Sequence, residues 1–357
     1  MKQITLLLRA HAIRVTREVG LAVLRTEGRL RAARPRHGAT RLRIVACSPT
    51  YLPTHRRGAE VTLHDVLVEL VRRGHEVRVI VGDDRTSDVI DGVTVVSAAR
   101  GRAAVTHGAW SDVVIGQLSA RWQGAALAAR ARRPFVYLVH IGNVARRSQF
   151  GRPDLTVFNS DVVRRQQPWA EPAIVVHPPV RRDSYATTPG DEITLVNLTR
   201  PKGAELFAEL ARRLPERRFL GVQGPDASEV SGALPANVTT LTQVDDMREV
   251  YGRTRILLVP SVYEAYGRVA LEAGWSGIPT IAHPTDGMRE ALGDAAVWVD
   301  RDDADAWVSR IEQLDDRAEY AARAQLVRTR VAALDPAREI DNLEQALVAL
   351  AGGEGRW

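Results

Sequence analysis

The 357-residue chain is short of cysteine, lysine and aromatic residues, and each shortage excludes something. Its one cysteine, Cys47, has no partner for an internal disulfide and cannot build a zinc site alone. A reducing, cytoplasmic setting is the expectation. Aromatic residues make up 5% of the chain and give no stacking platform for nucleic acid, so no nucleic-acid partner is expected. No apolar run reaches the ~20 residues of a membrane-spanning helix. Residues 1–8 are too short for a signal-peptide core, and no small-residue cleavage site follows them. No Ser-His-Asp order or cysteine nucleophile stands out. Lysine occurs only at Lys2 and Lys202 among 49 basic residues, which singles out Lys202 inside an arginine-rich chain.

The charge is unevenly placed. Lys2 and eight arginines face Glu18 and Glu27 within residues 1–40, a net of +7, while the whole chain carries +6. A basic extension therefore precedes a body that is about neutral. Ile4, Leu7, Leu8, Ile13, Val15, Val19, Leu21 and Leu24 fall among those arginines at roughly helical spacing. One reading is a basic amphipathic helix lying on an anionic membrane. The other is a tail without order, or a helix packed on the body.

From Leu42 onward, apolar strands and amphipathic helices alternate. Strands are expected at 43–48, 76–81, 89–97, 113–117, 135–140 and 156–159, with helices at 60–73 and 121–132. His177-Pro178-Pro179 together with residues 183–191 reads as a hinge, after which the pattern restarts. Strands then fall at 193–198, 219–222, 238–241, 256–259 and 280–282, with helices at 204–214, 246–253 and 267–276. Three further helices are expected at 303–314, 319–334 and 338–351. Alternation of this kind predicts an α/β chain with two doubly wound, Rossmann-like parallel-sheet domains facing across a cleft. The expected division is 1–40 as extension, 41–182 as first domain, 183–337 as second domain, and 338–357 as a helix returning to the first.

The densest chemical signal is the stretch Pro260-Ser261-Val262-Tyr263-Glu264-Ala265-Tyr266-Gly267-Arg268-Val269-Ala270-Leu271-Glu272-Ala273-Gly274. It leaves a buried strand and enters a helix. Backbone N–H groups at Ala265, Tyr266 and Gly267 suit a phosphate. Glu272, inside the helix, suits the two hydroxyls of a ribose, and Glu264, before it, suits sugar hydroxyls. A bare pair of glutamates on a helix would carry none of this; the surrounding motifs decide. The acidic pairs Asp245-Asp246 and Asp302-Asp303 read as helix caps rather than metal ligands. Gly221-Val222-Gln223-Gly224 reads as a turn after a strand.

This stretch closely resembles the E-x7-E motif of the retaining glycosyltransferases of family 4, which have the GT-B fold, and the resemblance runs over nearly all of residues 42–335. Tyr51-Leu52-Pro53 followed by Arg57-Gly58-Ala59-Glu60 resembles the family's glycine-rich loop. Arg72-Arg73-Gly74-His75-Glu76-Val77 resembles the close of its first helix, and Asn159-Ser160 the end of a later strand. Val196-Asn197-Leu198-Thr199-Arg200-Pro201-Lys202-Gly203 resembles the loop carrying its diphosphate-binding lysine. Residues 287–294 also fit.

The resemblance implies a metal-independent enzyme without a resident cofactor that takes a sugar from a nucleotide-diphosphate sugar, of UDP or GDP type, to an acceptor hydroxyl. Lys202 would stabilise charge on the leaving diphosphate. Gly58 would let backbone approach it; the family usually has two adjacent glycines there, and Arg57 replaces the first. Family members often carry an arginine before the lysine, where an ungapped match puts Asn197, with Arg200 as the nearby cation. His140 resembles the family's active-site histidine and would hold the transferred sugar; the bland reading is a satisfied histidine at a strand end. Asn143, Arg146 and Arg147 are candidates to face the acceptor, and residues 242–247 to read the base.

No carboxylate is placed as a covalent nucleophile, so front-face attack assisted by the leaving phosphate is expected. The acceptor class stays open among a glycan in polysaccharide biosynthesis, a lipid carrier and a small metabolite, with residues 1–40 favouring one at a membrane. The competing readings are a catalytically inactive sugar-nucleotide binder and an epimerase or phosphorylase of the same fold.

Overall fold

A computed structural model describes residues 40–82, 87–97, 101–142, 152–168, 170, 172–224, 233–242 and 244–353, excluding the side chains of 101–104. The basic extension, apart from its last residue, and Asn143, Arg146 and Arg147 lie outside the described residues. The chain forms two compact units. Unit 1 runs to Pro178 and takes in Ala337–Trp357; unit 2 is Pro179–Pro336.

Unit 1 is built from β1 (Arg43–Ser48), α1 (Gly58–Arg72), β2 (Glu76–Val81), β3 (Asp88–Ile90), β4 (Val93–Ser97), α2 (Gly101–Trp110), β5 (Val113–Gln117), α3 (Arg121–Ala131), β6 (Phe135–Val139), β7 (Leu155–Phe158), α4 (Asp161–Arg165) and β8 (Ala173–Val175). Its eight-stranded sheet has the order β3-β4-β2-β1-β5-β6-β7-β8. Strands such as β1, with Ile44, Val45, Ala46 and Cys47 all buried, are apolar on both faces because helices cover both sides of a parallel sheet. In α1, Leu63, Val66, Leu67 and Leu70 recur at helical spacing and are buried in the core shared with β1 and β2.

The expected single strand at 89–97 is corrected to two. Asp91 and Gly92 have φ of 49° and 83°, and Ile90 pairs with Val93, so β3 folds back antiparallel on β4. Asp-Gly supplies the positive φ that a two-residue hairpin turn demands, and that signal outweighs the continuity of the apolar run. The helix α2 is also absent from the expected elements: its sequence GRAAVTHGAW has little apolar periodicity to read.

Unit 2 contains α5 (Arg182–Tyr185), β9 (Glu192–Val196), α6 (Ala204–Arg213), β10 (Phe219–Gln223), β11 (Val238–Thr242), α7 (Met247–Tyr251), β12 (Thr254–Val259), α8 (Arg268–Gly274), β13 (Thr280–Ala282), α9 (Asp286–Leu292), β14 (Val297–Trp298), α10 (Ala304–Gln313) and α11 (Arg317–Ala332). Its strand order β11-β10-β9-β12-β13-β14, with parallel pairs throughout, is the doubly wound 3-2-1-4-5-6 arrangement. The sheet reverses direction of growth between β9 and β12, and the loops leaving those two strands diverge there. Asp246 and Asp303 cap α7 and α10, accepting from Arg248 N at 2.9 Å and Ala306 N at 3.0 Å, as the sequence implied.

The last helix, α12 (Pro336–Gly352), belongs to unit 1 from Ala337 onward. Ile340, Leu343, Leu347 and Leu350 are buried in the same core as Leu63 and Leu67, contributing about 1.5–3 kcal/mol each. Polar contacts reinforce the docking. Glu344 accepts from Arg73 at 2.7 Å and from His75 Nε2 at 3.0 Å, and both oxygens of Glu339 accept from His177, through its backbone N and Nδ1, at 2.7 Å. Among the described residues no helix is long and apolar enough to cross a membrane.

Candidate active site

In unit 2 the candidate side chains lie beyond the carboxyl ends of β9 and β12, where a doubly wound sheet opens a crevice. Leaving β9, Asn197 adopts φ 68°, in the left-handed region that asparagine tolerates better than other side-chain-bearing residues. The chain then makes a short 3-10 turn, Arg200–Lys202, closed by Gly203 at φ 91°. A Cβ on Gly203 would lie 2.4 Å from Pro260 Cγ, so glycine lets this turn press against the end of β12. The amide of Val262 donates to Pro201 O at 3.0 Å and ties the two loops together.

Lys202 Nζ donates to Glu264 Oε1 at 2.5 Å, and Ser261 Oγ donates to the same oxygen at 2.6 Å. Gly287, at the start of α9, packs so tightly on this loop that a Cβ would come within 2.1 Å of Glu264 O. Gly267, at φ 80°, is equally confined by Met288 Sδ. The loop of Glu264, Ala265, buried Tyr266 and Gly267 is thus held between β12 and α9. Asn197 meets Gly224, where a Cβ would lie 2.2 Å from its Oδ1, so the turn after β10 borders the same region. Arg200 is 75% exposed and faces Glu205 at 3.3 Å.

Glu272, in α8, is buried, and its oxygens are engaged within the fold. Arg268 Nε donates to Oε1 at 2.6 Å and Tyr251 OH to Oε2 at 2.7 Å; Arg268 also donates to Tyr185 OH at 2.6 Å. Burial and the neighbouring carboxylate hold the Tyr251 phenol well above its usual range, so it stays a donor. Arg268 supplies the counter-charge that a buried carboxylate requires. The sequence singled out Glu272 but not Arg268 or Tyr251, since arginine at the first turn of a helix and tyrosine at the end of another carry no motif.

In unit 1 the same topological argument points to the ends of β1, β5 and β6. Gly58 opens α1; a Cβ there would meet nothing within 4 Å and φ lies outside the left-handed region, so the fold itself imposes no glycine. His140 follows β6 and is buried. Its Nε2 bonds Gln117 Oε1 at 2.6 Å, and Gln117 Nε2 donates to Ser48 Oγ at 2.8 Å. Asn159 Nδ2 donates to His140 O at 3.1 Å. Burial pushes the imidazole pKa down to about 4, so it is neutral near pH 7. Among the described residues, no partner meets His140 Nδ1, Asn159 Oδ1 or Glu60 Oε2. Glu60 is buried in the first turn of α1 and takes Thr50 Oγ1 at 2.7 Å. Gln117, closing the apolar strand VVIGQ, is a further polar residue that sequence reading passed over.

Parts of the chain are similar in sequence, and the chain is similar in fold, to known proteins. Residues 193–316 match the family model described as Glycosyl transferases group 1. Over 182 residues the chain is 28% identical to D-inositol 3-phosphate glycosyltransferase of Mycobacterium sp. (strain JLS), covering 42% of this chain and 40% of that protein. A 96-residue stretch is 32% identical to a sulfoquinovosyl transferase of Arabidopsis thaliana, covering 26% of this chain and 19% of that one. The chain thus spans about two fifths of the length of the first of these relatives. Among solved structures, Anabaena HepE in complex with UDP and glucose superposes with a TM-score of 0.71 at 16% identity, over 86% of this chain and 100% of that one. Sucrose-phosphate synthase from Thermosynechococcus elongatus gives 0.69 at 17% identity, over 88% and 100%. The chain has the GT-B fold of these glycosyltransferases, and its residues 193–316 match the group 1 glycosyltransferase domain.

Proposed function

We propose that this protein is a retaining, metal-independent glycosyltransferase that moves a sugar from a nucleotide-diphosphate sugar, of UDP or GDP type, to an acceptor hydroxyl. The observation that carries the reading is the Lys202–Glu264 contact at the switch point of unit 2, inside the matched domain. A cation and a carboxylate side by side suit the two charges that change in sugar transfer. Lys202 takes up the negative charge that grows on the leaving diphosphate, a gain larger in the transition state than in the ground state. Glu264 accepts sugar hydroxyls. Backbone amides at Ala265, Tyr266 and Gly267 meet the phosphates, Glu272 takes the ribose diol, and Asn197 and Arg200 border the diphosphate.

In unit 1, Gly58 gives the phosphates room at the start of α1 and neutral His140 accepts from a hydroxyl of the transferred sugar. Attack comes from the front face, the leaving phosphate taking the acceptor proton. The acceptor is a glycan, a lipid carrier or a small molecule, and residues 1–40 bring the protein to an anionic membrane surface.

Thermal stabilisation by UDP, GDP and ADP tests the donor site. A ligand that binds only the folded state at a hundred times its Kd adds about 2.7 kcal/mol. One nucleotide should raise Tm in the wild type and by clearly less in Lys202→Ala, whose side chain is part-exposed. No response to any of the three at millimolar concentration would remove the donor assignment and favour a homologue that has lost the substrate.

A further inference from the structure

We propose that Gln117 is a positioning residue: it locks His140 in the tautomer protonated at Nε2, leaving Nδ1 as a bare acceptor for a sugar hydroxyl. The inference rests on reading His140 as a sugar-binding residue and goes beyond it by assigning the atom and the side chain that selects it.

The assignment follows from one chain of hydrogen bonds. Ser48 Oγ donates to Thr50 O at 2.6 Å, which commits the only hydroxyl proton. Ser48 Oγ must then accept from its other neighbour, Gln117 Nε2, at 2.8 Å. That orients the amide, because its NH2 faces Ser48 and its oxygen faces His140. Gln117 Oε1 lies 2.6 Å from His140 Nε2 and can only accept, so Nε2 carries the proton. A neutral imidazole has one proton, so Nδ1 is left with a lone pair. That atom is buried and has no partner among the described residues.

A buried acceptor without a donor is unfavourable unless a ligand supplies one. The chemistry that fits is a neutral O–H or N–H donor; an anionic phosphate oxygen would oppose the lone pair. The pieces sit together because Ser48 ends β1 and Gln117 ends β5, the two strands flanking the reversal point of the unit 1 sheet. The side chain of Asn159, beyond β7, fixes the backbone of His140 from the other side through its bond to the carbonyl at 3.1 Å.

Nitrogen-15 spectra of the imidazoles in the full-length protein at pH 7 test this directly, His140 being assigned by its absence in His140→Gln. The expected result is a protonated Nε2 and an unprotonated Nδ1 in the wild type, shifting to a tautomer mixture in Gln117→Leu and, less completely, in Ser48→Ala. A wild-type His140 protonated at Nδ1, or a tautomer unmoved by Gln117→Leu, overturns the proposal. Kinetics supply a second readout. Gln117→Glu places a negative charge on Nε2–H and should move the acid limb of kcat/KM up by roughly one pH unit or more, and Gln117→Leu should lower kcat/KM roughly tenfold. An unmoved acid limb in a folded Gln117→Glu protein also counts against it. If no nucleotide sugar is turned over, the glycosyltransferase reading fails, yet the tautomer measurement still decides the role of Gln117.

Discussion

Lys202 Nζ and Glu264 Oε1 lie 2.5 Å apart although 62 residues separate them in sequence. The contact exists because β9 and β12 are neighbours in the sheet and each hands its following loop to the same crevice. The lysine is thereby held at the mouth, 28% exposed, with a counter-charge that a diphosphate can displace. Glu264 and a bound diphosphate would compete for the Lys202 ammonium, so substitutions at the two positions have different consequences.

Lys202→Ala should weaken nucleoside-diphosphate binding about 10–100-fold, while stability changes by less than about 1 kcal/mol because the pair is part-exposed. Glu264→Gln should behave oppositely in a binding titration: the nucleoside diphosphate binds at least as tightly as to the wild type, since the lysine loses its internal competitor, whereas kcat falls. Calorimetric titration of UDP and GDP against both variants separates the two roles. Equal weakening in both would deny the competition.

Gly287→Ala forces a methyl to within 2.1 Å of Glu264 O and 2.7 Å of Ala265 C, both backbone atoms that cannot swing aside. The loop or the start of α9 must move, at a cost of about 1–3 kcal/mol, and nucleotide affinity should fall with it. Gly58→Ala is the contrasting substitution, with open space around the new Cβ. Its stability should stay within about 0.5 kcal/mol of the wild type. A loss of turnover without a change in Tm would assign the space above Gly58 to substrate; unchanged turnover would free that glycine of any role.

His140 gives the fold a pH dependence of definite sign. Its pKa is about 4 in the folded protein against 6.5 when exposed, so the unfolded chain binds the proton more readily. Stability is therefore complete above pH 6.5 and declines as pH falls towards 4, by about 3 kcal/mol across that window. His140→Gln should flatten this part of the stability curve in denaturant titrations from pH 4.5 to 7.5. A slope identical to the wild type would place the proton uptake on another group.

Leu347→Ala empties a fully buried position in the core that α12 shares with α1. The expected cost is about 2–5 kcal/mol. Hydrogen exchange should locate the loss in unit 1, including β1 and β2, although residue 347 follows all of unit 2 in sequence. Loss confined to α12 itself would mean that the helix is peripheral to that core.

The candidate residues that the sequence singles out are those that sit in one local stretch or stand out by their rarity. Glu264 to Glu272 stand out as candidates because strand, turn and helix follow one another there, as the structure has them, and Lys202 because lysine is so scarce in this chain. The parallel sheets were legible from alternating apolar runs. Asn197 illustrates what a linear match misses: its positive φ makes it the residue on which the chain turns after β9, a backbone role that no spacing rule reveals. Gln117 and Arg268 stayed hidden for another reason. Each acts through partners brought together by the fold, Ser48 and His140 for the first, Tyr185 and Glu272 for the second. The hairpin of β3 and β4 was legible in Asp91-Gly92 and was passed over because the apolar run around it looked continuous.

The most direct measurement of the central claim is release of nucleoside diphosphate from UDP- and GDP-sugars with and without a hydroxyl acceptor. Anomeric configuration of the product is read by proton NMR. The expected result is acceptor-dependent release, a product that keeps the donor's anomeric configuration, and loss of both in Lys202→Ala. An altered sugar nucleotide formed without acceptor, or a product of inverted configuration, would contradict it.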